Sequence, residues 1–270
     1  QDDVYRSIRG IAGVARAANV TYLTMQVRRP GGANPRDVRA MVVGVTPDGP
    51  GHPGQPGYLV DGRQITRGHY EAVADIASGL ALGPVFASRT HGYDTTDHFR
   101  IDPRLGDDAD FDHVVSEARA RGLRILLDGV FNHVGSDFPR YVEAAAGGDT
   151  SWFRVRNGQF ATFEGHDGLI ALNHRHAEVI DYTVDVMCHW LERGADGWRL
   201  DAAYAVPDRF WAQVLPRVRA KFPQAWFVGE VIHGDYGAHV RDAGFDSVTQ
   251  YELWKAIWSS LNDTNFHELD

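Results

Sequence analysis

The stretch DGWRLDAA, residues 196–203, joins a short apolar run to a cation and a carboxylate. Side chains alternate along a β-strand, so Arg199 and Asp201 project to the same side of a strand that covers this run. A neighbouring cation lowers the pKa of a carboxyl group. We therefore expect Asp201 to be ionised and able to act as a nucleophile.

Three other segments place polar groups beside apolar strands, and they are HGYDTTD (91–97), DGVFNHV (128–134) and FVGEVIHGD (227–235). Helix-like and strand-like patterns alternate around them, with helices at 110–121, 178–193 and 207–222 and strands at 123–130, 197–200 and 225–231. This alternation predicts βαβ units and a parallel sheet. Acidic residues recur at the carboxyl ends of the strands. Ligands bind there in a (β/α)8 barrel and in a doubly wound sheet, so position alone does not choose between them.

Glu230 ends the strand that follows Asp201 along the chain. Two carboxyl groups at neighbouring strand ends can face one substrate bond, one as nucleophile and the other, held protonated, as general acid. That is the arrangement of a retaining glycosidase. Asn132 and His133 are expected to donate hydrogen bonds to sugar hydroxyls, and Tyr93 to stack on a sugar ring.

The four segments resemble, in order and spacing, the short sequence regions of the α-amylase family of retaining glycoside hydrolases, glycoside hydrolase family 13. The resemblance covers about residues 79 to 262. It implies an α/β fold of the TIM type, a (β/α)8 barrel. The form EVIHGD (230–235) and a β-rich segment ahead of the barrel lean toward the neopullulanase, cyclomaltodextrinase and oligosaccharide-active members.

The resemblance also implies roles for single residues. Asp201 corresponds to the nucleophile and Glu230 to the general acid/base of a double displacement on α-glucosidic bonds in starch-like oligosaccharides. Arg199 corresponds to the arginine that holds the nucleophile. The remaining residues expected to bind substrate or to brace the site are His91, Tyr93, Asp128, Asn132, His133 and, at the rim, His233. A transglycosylase would use the same machinery.

The domain organisation follows from composition. Residues 1–57 are expected to form an N-terminal segment with strands at 20–27 and 37–45, ending in a linker rich in proline and glycine. Residues 58–270 are expected to form the barrel, with a small insert at about 134–175 after its third strand.

The barrel is expected to be incomplete, with about six βα units. The family carries a third carboxylate in a His-Asp pair, and no such pair follows Glu230. We expect a fragment whose remaining strands come from a longer chain or a partner. The rival from another class is a non-catalytic amylase-like protein that binds sugar or a protein.

Composition limits the other function classes. The single cysteine, Cys188, excludes an intramolecular disulfide. A net charge of −9 argues against nucleic-acid or anionic-membrane partners and suits a neutral sugar. A soluble protein, cytoplasmic or secreted and of bacterial origin, is expected. No organic cofactor is implied. Many family members bind calcium through Asn132 and an insert Asp, but Ala171 stands where that Asp is expected, so we do not predict calcium.

Overall fold

The computed structural model describes residues 20–27, 38–45 and 79–263. Fourteen strands lie in this part of the chain: β1 Val20–Val27, β2 Val38–Val45, β3 Gly79–Ala81, β4 Phe86–Ser88, β5 Thr95–Ile101, β6 Arg124–Gly129, β7 His133–Gly135, β8 Val155–Arg156, β9 Gln159–Phe160, β10 Thr162–Phe163, β11 His166–Ala171, β12 Gly197–Leu200, β13 Trp226–Gly229 and β14 Ser247–Val248. The helices are α1 Asp108–Ala120, α2 Pro139–Ala145, α3 Ala177–Glu192, α4 Asp208–Lys221, α5 Tyr236–Ala243 and α6 Tyr251–Asp263, with a 3-10 turn at Ala203–Ala205.

The chain divides into two units, the first made of residues 1–83 with 113–126 and the second of residues 84–112 with 127–270. In the first unit, β1 pairs antiparallel with β2, Val20 opposite Val45. Both strands were predicted, and the second begins one residue later than expected. The same unit holds a parallel pairing of β3 with β6, Gly79 opposite Arg124. The predicted linker lies outside the described residues.

The second unit contains the parallel strands that end at the predicted acidic residues. β12 pairs with β13, and β13 pairs with β14. Beyond the strands, the backbone N–H of Asp201 donates to the carbonyl of Gly129 at 2.9 Å, and that of Glu230 to the carbonyl of Leu200 at 2.9 Å. These two hydrogen bonds align three strand ends, so Asp128, Asp201 and Glu230 stand side by side.

Helices α3 and α4 supply the aromatic core of the second unit, because each has an apolar stripe at helical spacing. Trp190, Trp211 and Phe210 are fully buried, as are Phe131 and Trp198 near the strand ends. None of the described helices is long and apolar enough to cross a membrane.

One detail of the predicted core was wrong. The pattern in α1 assigned Phe111, Val114, Val115 and Ala118 to its buried face, but Val114 is 41% exposed. The other three recur at intervals of four and three residues. They form a narrow buried stripe along the helix, and Val114 lies beside this stripe.

The insert at 134–175 contains several short elements that sequence patterns did not indicate. β7, β11 and β10 form an antiparallel sheet in that spatial order, and β8 pairs with β9 in a hairpin. Strands β7 to β10 have only two or three residues each, too few to show an alternating pattern, while β11 has six. Helix α5 was also missed, although Asp235 caps it by accepting from the N–H of Ala238 at 2.8 Å.

The aromatic core yields a stability prediction. Phe210 is fully buried, with its ring 4.8 Å from that of His174 and 5.0 Å from that of Trp211. Replacing Phe210 with Ala should lower the free energy of unfolding in a urea titration by about 3–5 kcal/mol, because it leaves a cavity. The control Val142→Ala, 53% exposed on α2, should cost less than about 0.5 kcal/mol. Equal losses in the two variants would contradict the described core.

Candidate active site

The guanidinium of Arg199 is the centre of the site. It lies on β12 and contacts three carboxylates: Nη1 is 2.7 Å from Asp128 Oδ1 and 2.7 Å from Asp201 Oδ1, and Nη2 is 2.5 Å from Glu230 Oε1. All four side chains are largely buried. The structure therefore brings together the four residues that the sequence analysis placed at neighbouring strand ends.

Burial dominates the electrostatics of these carboxylates. It raises the pKa of Asp201 to about 6, even though the Arg199 charge acts in the opposite direction. The expected lowering of this pKa was therefore wrong. Removing the carboxylate from water costs more free energy than the interaction with one shared cation returns. Burial likewise raises the pKa of Asp128 to about 7, again against the effect of Arg199. Above these values both aspartates are ionised.

Glu230 is held through both carboxylate oxygens. Oε2 accepts from the backbone N–H of Ala202 at 2.9 Å, and Oε1 accepts from the hydroxyl of Tyr251 at 3.1 Å. Ala202 has φ +45°, in the left-handed region that non-glycine residues rarely adopt. This strained residue directly follows Asp201. The backbone N–H next to the predicted nucleophile therefore holds the carboxylate of the predicted acid/base. The roles of Ala202 and Tyr251 were not visible in the sequence.

Tyr93 and His133 extend the site on the side of Asp128. The Tyr93 hydroxyl donates to Asp128 Oδ2 at 3.4 Å. His133 Nε2 lies 3.1 Å from the Tyr93 carbonyl and His133 Nδ1 lies 3.0 Å from Asn132 Nδ2, so a neutral ring donates at Nε2 and accepts at Nδ1. Burial lowers the pKa of His133 to about 4, which favours this neutral form.

Asn132 and His133 brace the site in this structure. Their side chains are 2% and 1% exposed, and the ring of Phe163 stacks on that of His133 with centroids 4.8 Å apart. The His133 Nε2–H and one Asn132 N–H already have protein acceptors. Contact of these two residues with sugar hydroxyls stays a prediction.

His91 and His233 lie at the rim. His91 is exposed, and its ring centroid is 6.1 Å from that of Tyr93. His233 is exposed too, with its ring centroid 6.0 Å from that of Tyr204. Their contact with substrate stays a prediction.

Known proteins share this sequence pattern. The sequence model that describes the family "Alpha amylase, catalytic domain" matches residues 77–162 and 145–267 of this chain. The chain belongs to the α-amylase family. The expected TIM-type fold is thereby confirmed. The described parallel strands are β3, β6, β12, β13 and β14, fewer than the eight of a closed barrel.

Several characterised family members are similar to this chain. It is 34% identical over 200 residues to a cyclomaltodextrinase of Geobacillus thermopakistaniensis, covering 68% of this chain and 34% of that protein. It is 37% identical over 194 residues to neopullulanase 2 of Thermoactinomyces vulgaris, covering 67% and 33%. A solved cyclic α-maltosyl-(1→6)-maltose hydrolase of Arthrobacter globiformis matches with TM-score 0.63 and 30% identity, covering 68% and 44%. The chain spans about a third of the length of the curated relatives it matches, and the lean toward cyclomaltodextrinase and neopullulanase is confirmed.

Two further residues near the family's catalytic positions were missed. The Tyr204 hydroxyl donates to Glu164 Oε1 at 2.8 Å, and the Tyr204 N–H donates to the Glu230 carbonyl at 3.1 Å. Glu164 comes from the insert, 40 residues earlier in the chain. No sequence pattern links two residues so far apart.

The approach of the insert to the loop before β5 is very close. A Cβ atom added at Gly135 would lie 2.3 Å from the carbonyl oxygen of Asp94. Asp94 in turn closes the loop that carries His91 and Tyr93, because its carboxylate accepts from the N–H and the hydroxyl of Thr90 at 3.1 and 2.6 Å. The first strand of the insert and this loop are thus fitted to one another.

The calcium site of many family members does not fit the residues present. The Asn132 amide is turned toward His133, and Ala171 brings no side-chain oxygen. Calcium needs six to eight oxygen ligands. Among residues of the described ranges, no group of three or more His, Cys, Asp or Glu could hold a metal ion.

The buried arginine gives a pH-dependent stability prediction. Replacing Arg199 with Met should lower the free energy of unfolding at pH 8 by about 3–5 kcal/mol, because buried carboxylates lose their counter-charge. The loss should be smaller at pH 5. Asp128 and Asp201 have raised pKa values in the folded protein, so these two groups bind more protons in the folded state than in the unfolded state between about pH 4 and 7, and their contribution to stability falls as pH rises.

The matched control for this variant is Arg217→Met. Arg217 pairs with Asp181 at 2.8 Å, but both side chains are about half exposed. Urea titrations at both pH values should show a loss within about 1 kcal/mol for this control. A loss for Arg199→Met that does not change between pH 5 and pH 8 would contradict the assignment.

The buried histidines give a second prediction. Burial lowers the pKa of His98, His133 and His174 to about 4 each. Nitrogen NMR at pH 5.5 should therefore show these three rings neutral and protonated at Nε2, while free histidine in the same buffer is cationic. Since the unfolded chain binds these protons near pH 6.5, stability from these rings is lost as pH falls from about 6.5 to about 4. Cationic shifts for all three at pH 5.5 would refute the assignment.

Proposed function

We propose that this chain carries the nucleophile and the general acid/base of a hydrolase that cleaves α-glucosidic bonds with retention of anomeric configuration. The observation that carries the proposal is the placement of Asp201 and Glu230 on one guanidinium, at 2.7 and 2.5 Å. Two carboxyl groups that contact one planar cation lie close enough to act on one bond, which a retaining double displacement requires.

Asp201 attacks the anomeric carbon. Its pKa of about 6 leaves it ionised at neutral pH. The contact with Arg199 fixes its position, and burial removes the water that would otherwise stabilise its charge. A desolvated, oriented carboxylate gains more from bond formation than one in water.

Glu230 protonates the departing oxygen and then removes a proton from the incoming water. In this structure both of its oxygens accept hydrogen bonds, from Arg199, Tyr251 and Ala202. To act as an acid, one oxygen must carry a proton and face the glycosidic oxygen.

The substrate class is a neutral glucan oligosaccharide. Relatives of this chain are named cyclomaltodextrinase, neopullulanase 2 and intracellular maltogenic amylase. Tyr93 supports the proposal on the side of the attacked sugar, because its ring lies beside Asp128 with its hydroxyl already positioned by a carboxylate. An aromatic ring held in this way can pack on the apolar face of a pyranose.

Incubating the purified 270-residue chain with a nitrophenyl α-maltooligosaccharide tests the proposal. The wild type should release nitrophenol, and Glu230→Gln should reduce kcat at least about 100-fold, because the glycosyl-enzyme then lacks the general base that activates water. Glu117→Gln, an exposed glutamate paired with Arg121, should leave the rate unchanged. Proton NMR of the first sugar product should show the α-anomer.

Three outcomes would contradict the proposal. Initial formation of the β-anomer would show inversion. A folded wild type that binds maltotriose without releasing nitrophenol would instead support a non-catalytic, sugar-binding protein. Transfer products that exceed hydrolysis products at low sugar concentration would identify a transglycosylase with the same two carboxylates.

A further inference from the structure

The turn between β10 and β11 contains an unusual residue. Phe163 pairs with His166, and the two residues between them, Glu164 and Gly165, have φ +51° and +78°. Two positive φ angles at a two-residue hairpin turn favour Asn-Gly or Asp-Gly. A glutamate fits this conformation poorly, because its side chain neither relieves the left-handed strain nor bonds locally as Asn does.

A second turn in the same insert shows the ordinary choice. Asn157 and Gly158 join β8 to β9 with φ +51° and +75°, nearly the same conformation. Asn157 is exposed. The chain thus has a favourable residue at one turn and a strained one at the other. Residues held in strained conformations cluster at functional sites.

Glu164 uses its length to reach across to the catalytic loop. Its Oε1 accepts from the Tyr204 hydroxyl at 2.8 Å, three residues after Asp201 in the chain. Asp or Asn at the same turn would have one methylene less. The pKa of the Tyr204 hydroxyl is raised, first by burial and then by the hydrogen bond to Glu164, so the hydroxyl remains a donor at working pH.

The neighbouring residue of the turn anchors it on the opposite side. Phe163 stacks on His133 with ring centroids 4.8 Å apart. We call Phe163, Glu164 and Gly165 the insert arch. The arch is anchored at His133 and at Tyr204, and these two residues are also linked through the site. The contacts run in the order His133, Tyr93, Asp128, Arg199, Glu230 and Tyr204. The contacts therefore form a closed series that passes through Asp128 and Glu230.

The position of Tyr204 tells which side of the substrate the arch meets. Its backbone N–H is bonded to the carbonyl of Glu230, the residue that protonates the leaving oxygen. His133 supports Tyr93 on the side of the attacked sugar. We propose that Glu164 is a specificity-determining residue: its bond to Tyr204 closes the leaving-group side of the cleft and restricts the site to substrates with a short leaving group. The inference rests on the proposed function.

Three variants separate this role from a structural one. Glu164→Asn keeps a residue suited to positive φ, as at Asn157, and removes the reach to Tyr204. Tyr204→Phe keeps the ring and removes the donor. Glu164→Gln retains the length and a carbonyl oxygen that can accept, so it serves as the conservative control.

The measurement is the ratio of kcat/KM for maltoheptaose to that for maltotriose. Glu164→Asn and Tyr204→Phe should each raise this ratio about fivefold, the factor expected from the loss of one net hydrogen bond. The double variant should raise it no further, because both substitutions remove the same contact. Glu164→Gln should stay within about twofold of the wild type. Thermal unfolding of each variant confirms that it is folded.

Binding measurements distinguish failure of the proposed function from failure of this inference alone. The dissociation constants of both sugars are measured by calorimetry in the Glu230→Gln background, and their ratio should shift as the kinetic ratio does. If the wild type binds neither sugar and hydrolyses neither, the proposed function fails and this inference with it. If the wild type binds or hydrolyses them and neither ratio changes in Glu164→Asn and Tyr204→Phe, the inference alone is overturned.

Discussion

One positive charge serves three buried carboxylates, and the rest of the site depends on this imbalance. Arg199 contacts Asp128, Asp201 and Glu230 within 2.7 Å. A planar guanidinium offers several donors in fixed directions, which a lysine does not. Burial, together with the neighbouring negative charges, raises the pKa of Asp201 and Asp128 toward neutrality. Such a site stabilises most strongly a group that develops positive charge, as a sugar does while its glycosidic bond breaks.

The strand ends of this site could be predicted from the sequence because parallel strands carry simple rules. A strand bounded by Gly197 and Leu200 projects Arg199 and Asp201 to one face, and carboxyl ends of neighbouring strands meet at one edge. These two rules suffice to bring Asp128 and Glu230 to Arg199. Both are local, since they need only strand identity and order.

The remainder depended on contacts between distant parts of the chain. The pKa of Asp201 follows first from its burial, and no local pattern contains that quantity. His133 braces the site because Phe163, 30 residues later, covers its ring. Glu164 and Tyr204 meet across 40 residues, one from a hairpin turn and the other from a 3-10 turn, and neither turn shows a periodic pattern. Only the strained turn at Glu164 marks this contact, and backbone strain cannot be read from residue types alone.

The close fit of Gly135 to Asp94 has an evolutionary consequence. Any side chain at 135 would push against a main-chain carbonyl, and the loop behind that carbonyl is closed by the hydrogen bonds between Asp94 and Thr90. An insert that replaced this one would have to bring a glycine at the position of Gly135 or be accompanied by a changed loop before β5.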